Sequence, residues 1–230
     1  MKARTRRIIE MGTRVLNCSR AHPDPSAGYA AAPFRLEERL VQAEQLADQQ
    51  RAGLIGVRTA TAKKRDLRRT MRRTQLVHLA RVAEAAESES PSMERKFLLP
   101  EGSNAPYLAF RTAARGMAAE ALTHKELLIK HGLVDSVLDS LAQSLADFDQ
   151  AIEQGTEARH LHVAASAELD TAAEEVSQVA RVMDGQNRYR FANDRDALIE
   201  WESSSNTVGP FRQSVVKPEP PATGAIAPAA

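Results

Sequence analysis

Between Arg58 and Arg73 the chain places Arg58, Lys63, Lys64, Arg65, Arg68, Arg69, Arg72 and Arg73, with only Asp66 opposing them. On a helix advancing about 100° per residue, all but Lys63 fall within one half of the circumference, opposite Ala60, Leu67 and Met71. A stripe of this kind can track the phosphates of a nucleic acid, since non-specific binding needs little beyond aligned cations. The same stripe can instead pair with carboxylates. Residues 1–100 carry 20 Lys and Arg against 11 Asp and Glu, and residues 101–230 carry 11 against 19. An acidic counterpart, Glu168, Asp170, Glu174 and Glu175, stands at an offset of 100 residues from the basic run. At a constant helical advance, the face of Arg65 to Arg73 continues into Leu76, Leu79 and Ala83, which belong in a core. A face buried two turns later lies near another helix, so the charge split reads first as pairing between halves or copies, and second as a nucleic-acid grip. Exposed ion pairs contribute only about 0–1 kcal/mol each, so their role in that reading is choice of partner and register.

Other chemistry is incomplete in the sequence. Di-iron helical bundles use two Glu-x-x-His pairs facing inward. Glu157 and His160 fit one pair, but Glu120 and His124 are spaced by four, and His160 and His162 point to different faces. No metal set, cofactor or catalytic set is assigned. Cys18 has His22 one turn later, close enough to polarise a thiol, but no third orienting group is evident. Cys18 also falls on the apolar stripe Ile8, Met11, Val15, Cys18, where a packed thiol is expected. Phosphate-binding loops and nucleophile elbows are missing: no Gly-rich loop precedes Lys-Ser or Lys-Thr, and there is no Gly-x-Ser-x-Gly.

The elements that must carry these residues are helices. Hydrophobic residues make up 43% of the chain, delivered by 39 alanines rather than by aromatics. Small side chains suit slim, closely packed helices, and strand-forming runs are few. A single cysteine rules out an intramolecular disulfide. The basic N-terminus is followed by Glu10 and Arg14 rather than a signal-peptide core, and no stretch approaches the roughly 20 apolar residues of a membrane span. A cytoplasmic location is expected.

Along the chain, a first helix over about 4–20 ends at His22-Pro23-Asp24-Pro25. A second starts between Ser26 and Pro33 and is read as one long helix over about 34–88. Its stripe runs Leu36, Leu40, Ala43, Ala47, Gln50, Leu54, Val57, with a weak point at Gly53 and Gly56. Ser and Pro residues from 88 to 106 interrupt it. Helix resumes near Leu108 and stops at His131-Gly132. A further long pattern runs from Leu138 through Gly155 to Gly185, with Leu161, Ala165, Leu169, Ala172, Val176, Val179 and Met183 after the first glycine. Asp194 starts a short helix carrying Leu198 and Trp201. Tyr189, Phe191, Trp201 and Phe211 are read as a hydrophobic cap at one end.

The expectation is an all-α fold: an elongated antiparallel, coiled-coil-like helical bundle, built as two pseudo-repeated helical hairpins with a disordered C-terminal tail. The predicted organisation is a basic helical half over 1–88, a Pro/Ser linker over 89–106, an acidic half over 107–203 and the tail over 204–230. The expected role is a non-enzymatic scaffold or protein-interaction module that associates with itself or another helical protein. The alternatives are a nucleic-acid-binding protein using the face 58–73, and a metal-binding helical bundle.

Overall fold

The computed structural model describes residues 1–24, 26–100 and 106–208. The predicted tail therefore lies largely outside the described residues, as does Phe211. All regular structure among the described residues is helical. The helices are α1 (Ala3–Ala21), α2 (Ala27–Thr70), a π turn (Met71–Leu76), α3 (Val77–Ala86), α4 (Met93–Lys96), α5 (Tyr107–Thr123), α6 (Lys125–Lys130), α7 (Asp135–Arg190) and α8 (Arg195–Ser205). They form an all-α helical bundle. No helix among the described residues is long and apolar enough to cross a membrane.

Contacts divide the described residues into two compact units: unit 1 holds Met1 and residues from 44 to 169, and unit 2 holds residues from 2 to 43 and from 170 to 208. Each unit thus draws on both the basic and the acidic half of the sequence. The core of unit 1 gathers Met71, Leu76, Leu79, Phe97, Phe110, Met117, Leu128, Leu141 and Phe148. Unit 2 buries the predicted α1 stripe, Ile8, Met11, Val15 and Cys18, against Leu36, Val176, Met183, Phe191 and Trp201. Asp194 begins α8 as expected, its carboxylate accepting a hydrogen bond from the backbone N–H of Ala197.

The long second helix is irregular, but not at its glycines. α2 passes straight through Gly53 and Gly56, and the break comes at the π turn. A Cβ on Gly53 would stand 2.7 Å from the backbone nitrogen of His162 and 2.9 Å from the carbonyl oxygen of Ala158. The missing side chain lets α2 approach the backbone of α7 within unit 1. This close approach also corrects the predicted stripe: Gly53 and Ala60 face inward while Leu54, 39% exposed, does not. α7 likewise continues through Gly155, and through Gly185 to Arg190, where a helix end was expected at Gly185. At Gly185 a Cβ would meet nothing within 4 Å.

The two glycines should therefore respond oppositely to the same change. Gly185→Ala should stabilise the protein by about 0.5–1 kcal/mol, because alanine costs less backbone entropy in a helix. Gly53→Ala should destabilise it by about 1–3 kcal/mol, since the added methyl meets backbone that cannot turn aside. Denaturant unfolding of the two variants checks the pair, and equal shifts in one direction would contradict the close approach.

The interrupted stretch 88–106 contains structure of its own. Ser92 adopts φ 79° ahead of α4. Glu87 closes the turn by accepting the backbone N–H of Ser92 at 2.7 Å and of Glu94 at 2.9 Å. These bonds, that of Glu94 first, hold the Glu87 carboxyl below its usual range. A lowered folded-state value means that the stabilisation is present above the unfolded value of about 4.3 and disappears as pH falls through the folded value. Resistance to thermal unfolding should weaken as pH drops below about 4. Glu87→Gln should flatten that decline and lower Tm at neutral pH, as scanning fluorimetry across the range will show.

Candidate nucleic-acid interface

The arginine run lies on α2 and the π turn, entirely within unit 1. Along α2 the buried side passes through Ala60, with Leu67 partly buried, and reaches Met71 at the start of the π turn. A regular α-helix would carry residues 71 and 76 to different sides. The π turn closes its hydrogen bonds five residues apart instead of four, which brings Met71 and Leu76 onto one face. Both are fully buried, and the core continues as Leu79, Val82, Ala83 and Ala86. The arginine face therefore runs on towards Leu76 and Leu79 only through Arg68, which is buried, and Arg72, which is half-buried. The π turn keeps the apolar line on the core side and leaves Arg65, Arg69 and Arg73 exposed, with Arg72 half-buried. Gln75 fastens this turn to α7, its side-chain amide donating to Ser144 at 3.0 Å and Ser140 at 3.2 Å.

Arg65, Arg68, Arg69, Arg72 and Arg73 together line a groove of about 580 Å³, completed by Val77 and by Tyr107 at the start of α5. Aromatic rings order its cations. The guanidinium of Arg68 sits 5.1 Å from the ring centre of Phe110 and 6.0 Å from that of Tyr107, and the Lys64 ammonium lies 5.1 Å from Tyr107. Both rings pack edge-on against Phe148, with centroids 5.8 and 5.9 Å apart. Arg68 is consequently only 8% exposed, its stem packed over the core while its charge faces the groove. Tyr107 and Phe110, three residues apart on one helical face, are the contribution that sequence reasoning missed; only their spacing signalled it.

The carboxylates near this groove are few. Asp66 reaches Arg69 at 3.6 Å. Among the described residues no carboxylate pairs with Arg65, Arg72 or Arg73. Arg58 and Lys63 are exposed further along α2. Of the predicted acidic counterpart, Glu168 is exposed in unit 1, and the other three residues belong to unit 2. There Asp170 binds Lys2 at 2.6 Å and accepts a hydrogen bond from Thr5, contacts that hold its carboxyl below the usual range. Glu175 pairs with Arg39 at 3.0 Å, and Glu174 borders a small surface hollow with Arg4.

The second cluster of reactive groups is in unit 2. Cys18 is buried, as its stripe predicted, and Glu200 on α8 supplies the third group that the sequence did not reveal. Glu157, His160 and His162 form no ligand cluster among the described residues. His162 instead contacts the carbonyl oxygen of Gln50 at 3.0 Å.

Comparison with family models, with curated proteins and with solved structures finds no match to this chain.

Proposed function

We propose that this chain is a non-enzymatic helical interaction module whose binding surface is the arginine groove of unit 1, and that its partner is the phosphate backbone of a nucleic acid. The observation carrying this reading is the convergence of five arginines on one groove, three of them without a carboxylate partner among the described residues. Guanidinium groups present planar forks that suit phosphate oxygens, and the packed rings of Tyr107 and Phe110 hold Arg68 in place before anything binds. A preordered cation loses less side-chain entropy on binding. The π turn adds support, because such turns are rare and concentrate at functional sites.

Pairing within the chain, or between copies, was the reading favoured by a continuous arginine-to-leucine face. The π turn limits that continuity to Arg68 and Arg72, and Asp170 and Glu175 have cations of their own. A scaffold that self-associates remains the outcome to be distinguished. Light-scattering mass at low and high salt, with and without a short DNA duplex or an RNA hairpin, separates the two. Nucleic-acid capture predicts a mass increase only when the oligonucleotide is present, lost at high salt. A protein mass that itself changes with salt, with no response to nucleic acid, would support pairing between copies instead.

A further inference from the structure

Unit 2 holds a set of donors that goes beyond the groove. The Sγ of Cys18, a ring nitrogen of His22 and a carboxylate oxygen of Glu200 all lie within 4.8 Å of one another. We propose that these three side chains form a zinc-class metal site, with water in the remaining position.

The fold builds this cluster from two elements. Cys18 lies in the last turn of α1, and His22 caps that helix, its backbone N–H reaching the carbonyl oxygen of Cys18 at 3.0 Å. One helical turn therefore puts thiol and imidazole on the same side. α8 packs against α1 and brings Glu200 to His22, with Oε2 at 3.0 Å from Nε2. The Phe191 ring meets the imidazole edge-on at 5.3 Å and limits its rotation. The backbone carbonyl of His22 accepts a hydrogen bond from Arg190 at 2.7 Å, which anchors the residue, while Asp24 offsets that cation at 3.5 Å.

Sulfur, nitrogen and oxygen donors together select a borderline ion such as Zn²⁺ rather than Mg²⁺ or Ca²⁺. Tetrahedral zinc, with bonds of about 2.0–2.3 Å, separates its ligand atoms by about 3.3–3.8 Å. The three donor atoms already stand within 4.8 Å of one another, with the imidazole–carboxylate pair at 3.0 Å, so gathering around an ion needs side-chain adjustment rather than backbone rearrangement. Thiolate and carboxylate would balance the two charges of the ion, so a partly buried site gains no net charge. Without metal, burial and then the Glu200 charge push the Cys18 thiol up, while a hydrogen bond with Ser204 acts the other way. Zinc would displace the thiol proton to solvent as the Zn–S bond forms.

Calorimetric titration of the full chain with Zn²⁺, alongside Co²⁺ absorption, tests the site. One ion should bind per chain, raising Tm by about 5 °C at a hundredfold excess over Kd. Co²⁺ should give a thiolate charge-transfer band. Cys18→Ser should abolish the band, and Glu200→Gln, a change at an exposed position, should weaken binding at least tenfold while circular dichroism stays unchanged. No binding to the wild type, or binding and a thiolate band that Glu200→Gln leaves intact, would overturn the assignment.

Discussion

Replacing Arg65, Arg72 and Arg73 together by Glu should leave the protein folded and weaken its hold on nucleic acid at least about 100-fold at low salt. These three guanidinium groups line the groove and have no carboxylate partner among the described residues. Two of them are exposed and one is half-buried, and none belongs to the buried core, so reversal should cost little stability. A contact with phosphate near a surface is worth about 1 kcal/mol in high dielectric, and reversal replaces that attraction with a repulsion of similar size. Three such sites make about 3 kcal/mol the low end of the loss, and 1.4 kcal/mol is tenfold in affinity. Arg68→Glu should behave differently. Its guanidinium is stacked over Phe110, so that variant should lose stability as well as binding. Fluorescence anisotropy with a labelled duplex, beside thermal unfolding, distinguishes the two. If the triple variant unfolds, these arginines hold the structure together and the groove is not a free binding surface.

Trp201→Ala should destabilise unit 2 by about 3–5 kcal/mol. Trp201 is fully buried, and its indole N–H donates to Asp184 at 2.9 Å. Truncation leaves a large void and removes one partner of the Asp184 carboxylate, which then keeps Arg188 at 2.9 Å. The loss should be local in its consequences. α8 carries both Trp201 and Glu200, so loosening it should also lower zinc affinity, while the arginine groove in unit 1 keeps its affinity for nucleic acid. Hydrogen exchange should show protection falling across α8 and α1. Unchanged stability would mean that α8 is not docked through this side chain.

Much of the fold was legible because helices repeat their apolar positions every three or four residues. The α1 stripe, the Gly132 stop at φ 103° and the Asp194 start all follow from such local rules. Features that depend on a neighbouring helix were not legible. Glycine in a helix reads locally as a weak point, yet a Cβ at Gly53 would meet the backbone of α7. A π turn changes the phase by one residue without an obvious sequence mark, and that single step leaves Arg65, Arg69 and Arg73 exposed while Arg68 stays buried. Tyr107 and Glu200 entered their clusters from elements distant in sequence from the arginines and from Cys18, where no local spacing rule reaches. The basic run itself was plain from composition; what it faced was not.

The central claim, that the arginine groove binds nucleic acid through phosphate contacts, is tested most directly by the salt dependence of affinity. Each phosphate contact on duplex DNA contributes about −0.9 to the slope of log K against log salt. Three to five engaged arginines predict a slope of about −2.7 to −4.5 for the wild type, reduced by about one on Arg72→Gln. Absence of binding at low salt, or a slope near zero that Arg72→Gln leaves unchanged, would contradict the account.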